Sequence, residues 1–145
     1  MTTKNRILIL CTGNSARSQL AEAIINAQRG DQWEAVSAGT KPAPQVHPAA
    51  LQVLAEIGIQ HGGTPKHMDT FKGQPFNLII TVCDSAAQEC PFWPGGGIKL
   101  HIPFDDPAAV EGDEETILKA FRAVRDGIPQ RMFPVLDGYM PSFAP

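Results

Sequence analysis

Residues 7–20, ILILCTGNSARSQL, decide the fold of this chain. Four consecutive apolar residues, 7–10, are too few for a helix and predict a buried strand. The strand runs into Cys11, and a short polar loop then leads through Arg17 into an amphipathic run that predicts a helix over residues 18–28. The stretch therefore predicts a strand, a tight loop and a helix, which is how a parallel α/β unit begins.

The rest of the chain continues this alternation. Three further strands are predicted, the last of them with the weakest pattern, at residues 34–37, 78–82 and 100–102. Because strands that alternate with helices form right-handed crossovers, we expect a parallel sheet. The prediction is a single α/β domain over residues 1–145, with three layers (α/β/α) around a four-stranded parallel sheet.

Two more helices complete the predicted domain. Pro48 suits the first turn of one helix, whose pattern ends at Gly58. Asp113 caps the other, and Gly127 and Pro129 are expected to end or kink it. The remaining sequence, from about residue 132, is predicted to be an irregular tail.

Composition narrows the classes of function. With 43% hydrophobic and 19% charged residues the chain is globular, and a net charge of −3 disfavours nucleic acid or anionic membranes as general partners. No apolar run is long enough to cross a membrane, and the first ten residues lack the pattern of a signal peptide. We therefore expect a cytoplasmic protein, and a monomer.

The chain has three cysteines, Cys11, Cys83 and Cys90. An odd number in a cytoplasmic chain does not predict a disulfide framework. Zinc is also disfavoured, because six residues separate Cys83 from Cys90, whereas structural sites pair ligands two to four residues apart. We predict no metal site.

The loop after the first strand has the components of an anion site. Gly13 and Asn14 tolerate positive φ, which would let successive N–H groups turn inward, and the helix directs its N-terminus at the same point. Arg17 adds a planar fork for two oxygens of a tetrahedral oxyanion. The predicted oxyanion-binding residues are Thr12, Gly13, Asn14, Ser15, Ala16, Arg17 and Ser18.

Cys11 is the predicted nucleophile of this loop. The surrounding dipoles and Arg17 should hold the pKa of its thiol well below the usual value, and the Ser18 hydroxyl can donate to the sulfur. The alternative is that Cys11 is a small core residue, as many buried cysteines are. Because Cys83 also follows a strand, both cysteines are expected at the carboxyl edge of the sheet, where ligands bind in such folds.

Four segments together carry a family resemblance. They are CTGNSARSQLAE (11–22), VSAGTKPAPQVHP (36–48), TVCDSAAQECP (81–91) and FDDPA (104–108). They resemble the low-molecular-weight tyrosine-phosphatase superfamily and, within it, the arsenate reductases, which typically have Ser-Gln after the arginine where phosphatases have Ser-Pro. The resemblance implies that fold and a role in arsenic detoxification.

The resemblance implies a relay of three thiols. Cys11 would attack arsenate, Cys83 would attack the Cys11 sulfur to release arsenite, and Cys90 would attack Cys83. The resulting Cys83–Cys90 disulfide would be reduced from outside by thioredoxin, or by a glutathione–glutaredoxin route, without a bound cofactor. Phosphate and sulfate would compete with arsenate.

The Asp-Pro motif of the family falls on Asp106, which is the expected general acid. Asp105 is its neighbour and competitor, and only the motif favours Asp106. Phosphatases of this fold usually carry tyrosines after the motif to hold an aromatic substrate, whereas this chain has Ala108 and Ala109. This difference disfavours a phosphatase.

Some of these reductases bind potassium beside the loop. The corresponding positions here are Asn14, Glu22, Ser37 and, in place of an aspartate, Lys66. Because an ammonium would supply the charge itself and repel a cation, we predict no potassium site and a supporting role for all four residues. Two other functions stay open: a phosphatase using Cys11 and Asp106 only, and a non-catalytic oxyanion-binding or redox-sensing module.

Overall fold

The computed structural model describes residues 4–83 and 97–139. Its strands are β1 (Asn5–Cys11), β2 (Trp33–Gly39), β3 (Leu78–Thr81) and β4 (Ile98–His101). They form one parallel sheet in the order β2-β1-β3-β4. The predicted four-stranded parallel sheet is confirmed, with strand ends that differ by at most two residues from those predicted.

Three α-helices accompany the sheet in the described residues: α1 (Arg17–Gln28), α2 (Pro48–Glu56) and α3 (Glu114–Asp137). Single 3₁₀ turns lie at Met68–Phe71 and Pro107–Ala109. Asp113 caps α3 as predicted, accepting from the Thr116 N–H at 2.9 Å. No helix within the described residues has the length and apolar character needed to cross a membrane.

The prediction for the end of α3 was wrong. The helix passes through Gly127 and contains Pro129 and Pro134, and it ends only at Asp137, inside the stretch expected to be an irregular tail. Each proline removes a backbone hydrogen bond, which weakens a helix. The apolar face of these last turns is buried and holds them on the core; it comprises Ile128, Met132, Phe133 and Leu136.

The core is centred on β1. Side chains 7–10 of this strand are completely buried, and since successive side chains point to opposite faces, both faces of the sheet are covered. Helix α1 packs on β1 and β2, while α2 and α3 contact each other and α1. The burial of both faces of the sheet agrees with the three-layer α/β/α arrangement that the sequence predicted.

Candidate active site

The loop between β1 and α1, residues 12–16, is held by its carbonyl groups. Three of them, together with the carbonyl of Cys11 at the end of β1, accept backbone hydrogen bonds of 2.8–3.2 Å from the segment that follows β2. The carbonyls are those of Cys11, Thr12, Gly13 and Ser15, and the donors are the N–H groups of Thr40, Lys41, Ala43 and His47. Because the carbonyls face outward, the amides of residues 13–17 remain without an acceptor among the described residues, as in an anion-binding nest.

Asn14 supplies the turn that this loop needs. Its φ is 50°, and among the described residues no other non-glycine residue has a positive φ. Gly13 was expected to adopt a positive φ as well, but it does not. The buried Asn14 side chain donates to Ser18 Oγ at 2.8 Å and accepts from the backbone N–H of Lys66 at 2.9 Å. Asparagine tolerates the left-handed region better than most residues, and these contacts stabilise it there.

Arg17 begins α1 and faces the loop. Its Nη1 donates to the carbonyl oxygen of Phe104 at 3.0 Å, and its Nη2 lies 3.8 Å from Asp106 Oδ2. Its Nε is buried and has no hydrogen-bond partner in the described structure. A buried donor without an acceptor is costly unless a ligand satisfies it, so the predicted role of Arg17 in binding an oxyanion fits its geometry.

The two cysteines of the described residues lie together. Cys11 ends β1, Cys83 follows β3 by two residues, and both are buried. The Thr12 hydroxyl and the Cys83 sulfur are 3.1 Å apart. Cys83 also hydrogen-bonds to Cys11, while the Thr12 N–H points at the Cys11 sulfur.

The expected lowering of the Cys11 pKa is not what the structure shows. The hydrogen bond with Cys83 and burial raise the pKa of the Cys11 thiol, and they outweigh the lowering by Arg17 and by the Thr12 N–H. A neighbouring sulfur resists the loss of a second proton from the pair. The Ser18 oxygen accepts from Asn14, which leaves the hydroxyl proton able to donate elsewhere, so the hydrogen bond from Ser18 to the Cys11 sulfur stays a prediction.

A cavity of about 310 Å³ opens beside these groups, and Arg17, Cys83, Asp105 and Asp106 are among its lining residues. The Asp106 carboxylate faces Arg17 and accepts from the N–H of Ala108 at 3.0 Å, capping the short 3₁₀ turn. Its side chain remains 45% exposed, so it can exchange protons with solvent. These contacts favour Asp106 over Asp105 as the acid that serves this cavity.

The expected supporting residues lie beneath the loop, with one difference. Ser37 Oγ donates to Glu22 Oε1 at 2.9 Å, as a supporting pair would. Lys66 supports Asn14 through its backbone N–H, while its ammonium donates to the carbonyl oxygen of Thr64 at 2.8 Å. The group that faces Glu22 is His61, whose Nε2 lies 3.8 Å from Glu22 Oε2.

Sequence reasoning missed two residues of this site, Gln19 and His61. Gln19 is completely buried, and its Oε1 lies 2.6 Å from His61 Nε2. A glutamine on the apolar stripe of α1, next to Leu20 and Ala21, was the available signal, because buried amides need partners. His61 lies in a glycine-rich loop that gives no comparable signal.

Cys90 lies outside the described residues. Within residues 4–83 and 97–139, no three His, Cys, Asp or Glu side chains cluster as metal ligands would. The site therefore consists of an amide cradle, Arg17, two sulfurs and a carboxylate, which together can bind an oxyanion and form a bond from sulfur to it.

Comparison with known proteins connects this site to a family. The family described as low molecular weight phosphotyrosine protein phosphatase matches residues 6–136. An arsenate reductase of Halalkalibacterium halodurans is 42% identical over 130 residues, which are 89% of this chain and 93% of that protein.

Two solved structures are similar as well. The arsenate reductase of Archaeoglobus fulgidus is 31% identical, with a TM-score of 0.63 over 86% of this chain and 96% of its own. The thioredoxin-dependent arsenate reductase of Corynebacterium glutamicum is 25% identical, with a TM-score of 0.68 over 95% of this chain and 65% of its own.

Proposed function

Because the chain belongs to the low-molecular-weight phosphotyrosine protein phosphatase family, we propose that it is an arsenate reductase that begins its reaction at Cys11. The observation that carries the proposal is the contact between Cys11 and Cys83, since Cys83 lines the cavity together with Arg17 and Asp106. Phosphate-ester hydrolysis needs one nucleophilic sulfur, whereas reduction needs thiols as the source of two electrons. A second sulfur within hydrogen-bond reach of the first favours reduction.

In the first step, the loop amides and Arg17 bind arsenate, the Cys11 thiol passes its proton to an arsenate oxygen, and the resulting thiolate attacks arsenic. A sulfur–arsenic bond forms and an arsenic–oxygen bond breaks. Asp106 donates a proton to the departing hydroxyl group, which leaves as water. The Nε of Arg17 supports this step: it has no acceptor within the described structure and is therefore available to donate to the oxyanion.

In the second step, the Cys83 thiolate attacks the Cys11 sulfur. A sulfur–sulfur bond forms, the sulfur–arsenic bond breaks, and its electron pair reduces As(V) to As(III), which leaves as arsenite. The Thr12 hydroxyl, 3.1 Å from the Cys83 sulfur, can donate to that thiolate and favour its formation.

In the third step, the Cys90 thiolate attacks Cys83 and frees Cys11 as a thiolate. Thioredoxin then reduces the Cys83–Cys90 disulfide, and the structural likeness to a thioredoxin-dependent reductase supports that donor. We place the reaction in the cytoplasm, where thiols are kept reduced, and assign it to arsenic detoxification by a monomer.

A phosphatase is the second candidate, since the same cradle would bind a phosphoryl group and the family is named for that activity. It would need Cys11, Arg17 and Asp106 but neither Cys83 nor Cys90. Weak phosphatase activity is compatible with the reductase, because the two oxyanions share size and charge.

The deciding experiment measures arsenite formation with thioredoxin, thioredoxin reductase and NADPH. It compares the wild type with Cys83→Ser and Cys90→Ser, and each variant is also assayed for hydrolysis of a phosphoester. We expect both variants to lose at least about 100-fold in arsenate turnover, since no disulfide can pass to thioredoxin, while retaining phosphoester hydrolysis. A wild type that hydrolyses the ester but forms no arsenite would contradict the proposal and establish the phosphatase.

A further inference from the structure

His61 lies against the buried underside of the loop, on a segment that sequence reasoning did not assign to the site. Its side chain is only 9% exposed, and its Nε2 lies 2.6 Å from Gln19 Oε1. An amide oxygen can only accept, so the Nε2 of His61 carries the proton of this hydrogen bond. His61 therefore supplies the hydrogen bond that holds the oxygen end of the Gln19 amide.

The other end of Gln19 reaches the loop. Its Nε2 lies 3.1 Å from both the carbonyl oxygen and the Oδ1 of Asn14, and 3.2 Å from the carbonyl oxygen of Thr64. If the amide turned over, its oxygen would meet these three acceptors and none of the contacts could form. The His61 contact and these acceptors thus favour the same orientation, in which Gln19 supports Asn14.

Asn14 is where this support affects the anion site. It holds the left-handed conformation that turns the loop amides inward, and its Nδ2 continues the chain of hydrogen bonds to Ser18 Oγ. A non-glycine residue pays about 1 kcal/mol for that conformation, so contacts that hold it there affect the population of the binding-competent loop.

Burial keeps His61 neutral near neutral pH, despite the charged groups around it. Burial lowers the pKa of His61 and the nearby Lys66 ammonium lowers it further, while Glu22 opposes both. Glu22 accepts from Ser37 and lies 3.8 Å from His61 Nε2. The link to Gln19 is therefore a hydrogen bond between neutral groups.

Gly63 lies directly against the hydrogen bond between His61 and Gln19. A Cβ at position 63 would lie 2.5 Å from His61 Nε2 and 2.7 Å from Gln19 Oε1, so an added methyl would force the two atoms of the contact apart. Gly62, its neighbour, would meet no heavy atom within 4 Å. The two glycines form a matched pair, one against the contact and one in open space.

From these contacts we propose that His61 is a positioning residue for the oxyanion loop, acting through Gln19 on Asn14. The inference rests on the proposed oxyanion chemistry of this loop and names a residue that sets its affinity. His61 touches neither substrate nor sulfur. Its removal should weaken anion binding and leave the thiol steps nearly unchanged.

The experiment measures the Kd for inorganic phosphate by calorimetry on the reduced full-length chain. The variants are His61→Ala, His61→Gln, Gly63→Ala and Gly62→Ala. We expect His61→Ala and Gly63→Ala to bind roughly tenfold more weakly, which is the size of one lost hydrogen bond. His61→Gln, whose amide N–H can replace the imidazole donor, and Gly62→Ala should stay within about twofold of the wild type.

Arsenate turnover gives a second measurement, in which KM should rise in His61→Ala and Gly63→Ala while kcat changes by less than about twofold. The inference is overturned if both variants bind phosphate as the wild type does, or if His61→Gln is as weak as His61→Ala. Should His61→Ala not fold, the Gly63→Ala and Gly62→Ala pair decides alone. If the wild type reduces no arsenate, the proposed function fails, yet the phosphate affinities still decide the role of His61.

Discussion

At the residue scale, the pair of sulfurs governs the chemistry of the site. Cys11 was predicted from sequence with its loop, because a cysteine between a buried strand and a helix N-terminus is a recognisable pattern. The raised pKa of its thiol could not be predicted, because the main cause is Cys83, which lies 72 positions away in the chain. A pKa depends on what folding brings near the group.

Replacing Cys83 with Ala should lower the pKa of Cys11. The substitution removes both the hydrogen bond and the like-charge repulsion from the second sulfur, and leaves Arg17 and the Thr12 N–H to stabilise the thiolate. The measurement is the pH dependence of iodoacetamide alkylation of Cys11, followed on its own peptide by mass spectrometry, with Cys11→Ser as the control for labelling. A midpoint equal to or above that of the wild type would show that the two sulfurs are not in contact in solution.

At the element scale, the carboxyl end of β2 is packed tightly against the loop. Gly39 pairs with Cys11 in the sheet, and a Cβ there would lie 2.4 Å from the carbonyl oxygen of Thr12 and 3.1 Å from atoms of Asn14. Sequence reasoning placed this strand correctly but had no means to see the contact, since it joins two elements.

Gly39→Ala should therefore weaken both the fold and the site. Moving the backbone of Thr12 to relieve the clash should cost about 1–3 kcal/mol in the free energy of unfolding, the usual range for overpacking. Urea denaturation measures the loss, and phosphate calorimetry should show weaker binding. Gly62→Ala, in open space, should change stability by less than about 0.5 kcal/mol. Equal stability of the two variants would contradict the packing of β2 against the loop.

Helices α2 and α3 are joined by a cluster of charges around Glu56. Its carboxylate accepts from Arg122 and Arg125, each at 2.7 Å. The hydrogen bond from Arg122 is the main cause that lowers the pKa of Glu56 to about 2, with Arg125 contributing and burial opposing. A carboxyl with a lowered pKa stabilises the folded state above its usual pKa and loses that contribution as the pH falls through the folded value.

Glu56→Gln should lower the Tm at neutral pH and much less in acid. The advantage of the wild type should shrink between pH 4.5 and about 2, the usual and the folded pKa of this group. Thermal unfolding followed by circular dichroism across that range tests the window. Repetition at high salt serves as the control, because the pairs are exposed and should be screened. A difference in Tm that stays constant down to the acid end would exclude the ionic contribution.

At the scale of the whole molecule, binding at the loop should stabilise the entire domain. The loop is tied by backbone hydrogen bonds to the segment after β2, by Asn14 to Lys66 and by Arg17 to Phe104, so a bound anion links elements from both halves of the sheet. A ligand that binds only the folded state raises its stability according to its saturation.

Inorganic phosphate at 100 times its Kd should add about 2.7 kcal/mol and raise the Tm by roughly 5–10 °C. In Arg17→Ala, phosphate should hardly raise the Tm, because that variant lacks the guanidinium whose Nε has no protein acceptor. The quantity compared between the two proteins is this increase, since the variant's Tm without phosphate can itself differ. Scanning calorimetry over a phosphate titration is the measurement. An equal shift in the variant would place the anion elsewhere on the protein.

The order of elements, the parallel sheet, and the loop with Cys11 and Arg17 at the end of β1 could all be predicted from the sequence. These features depend on residues close in the chain, whose apolar period and turn chemistry are visible in one dimension. The end of α3 was missed because its two prolines argue locally for a break, whereas burial of the face that includes Ile128 and Met132 keeps the helix continuous.

Three features became visible only in the folded chain: the contact of Thr12 with Cys83, the raised pKa of Cys11, and the chain of hydrogen bonds from His61 through Gln19 to Asn14. Each joins residues from separate elements. Polar contacts of this kind are set by distance and burial once the apolar pattern has folded the chain, and one-dimensional patterns carry neither quantity.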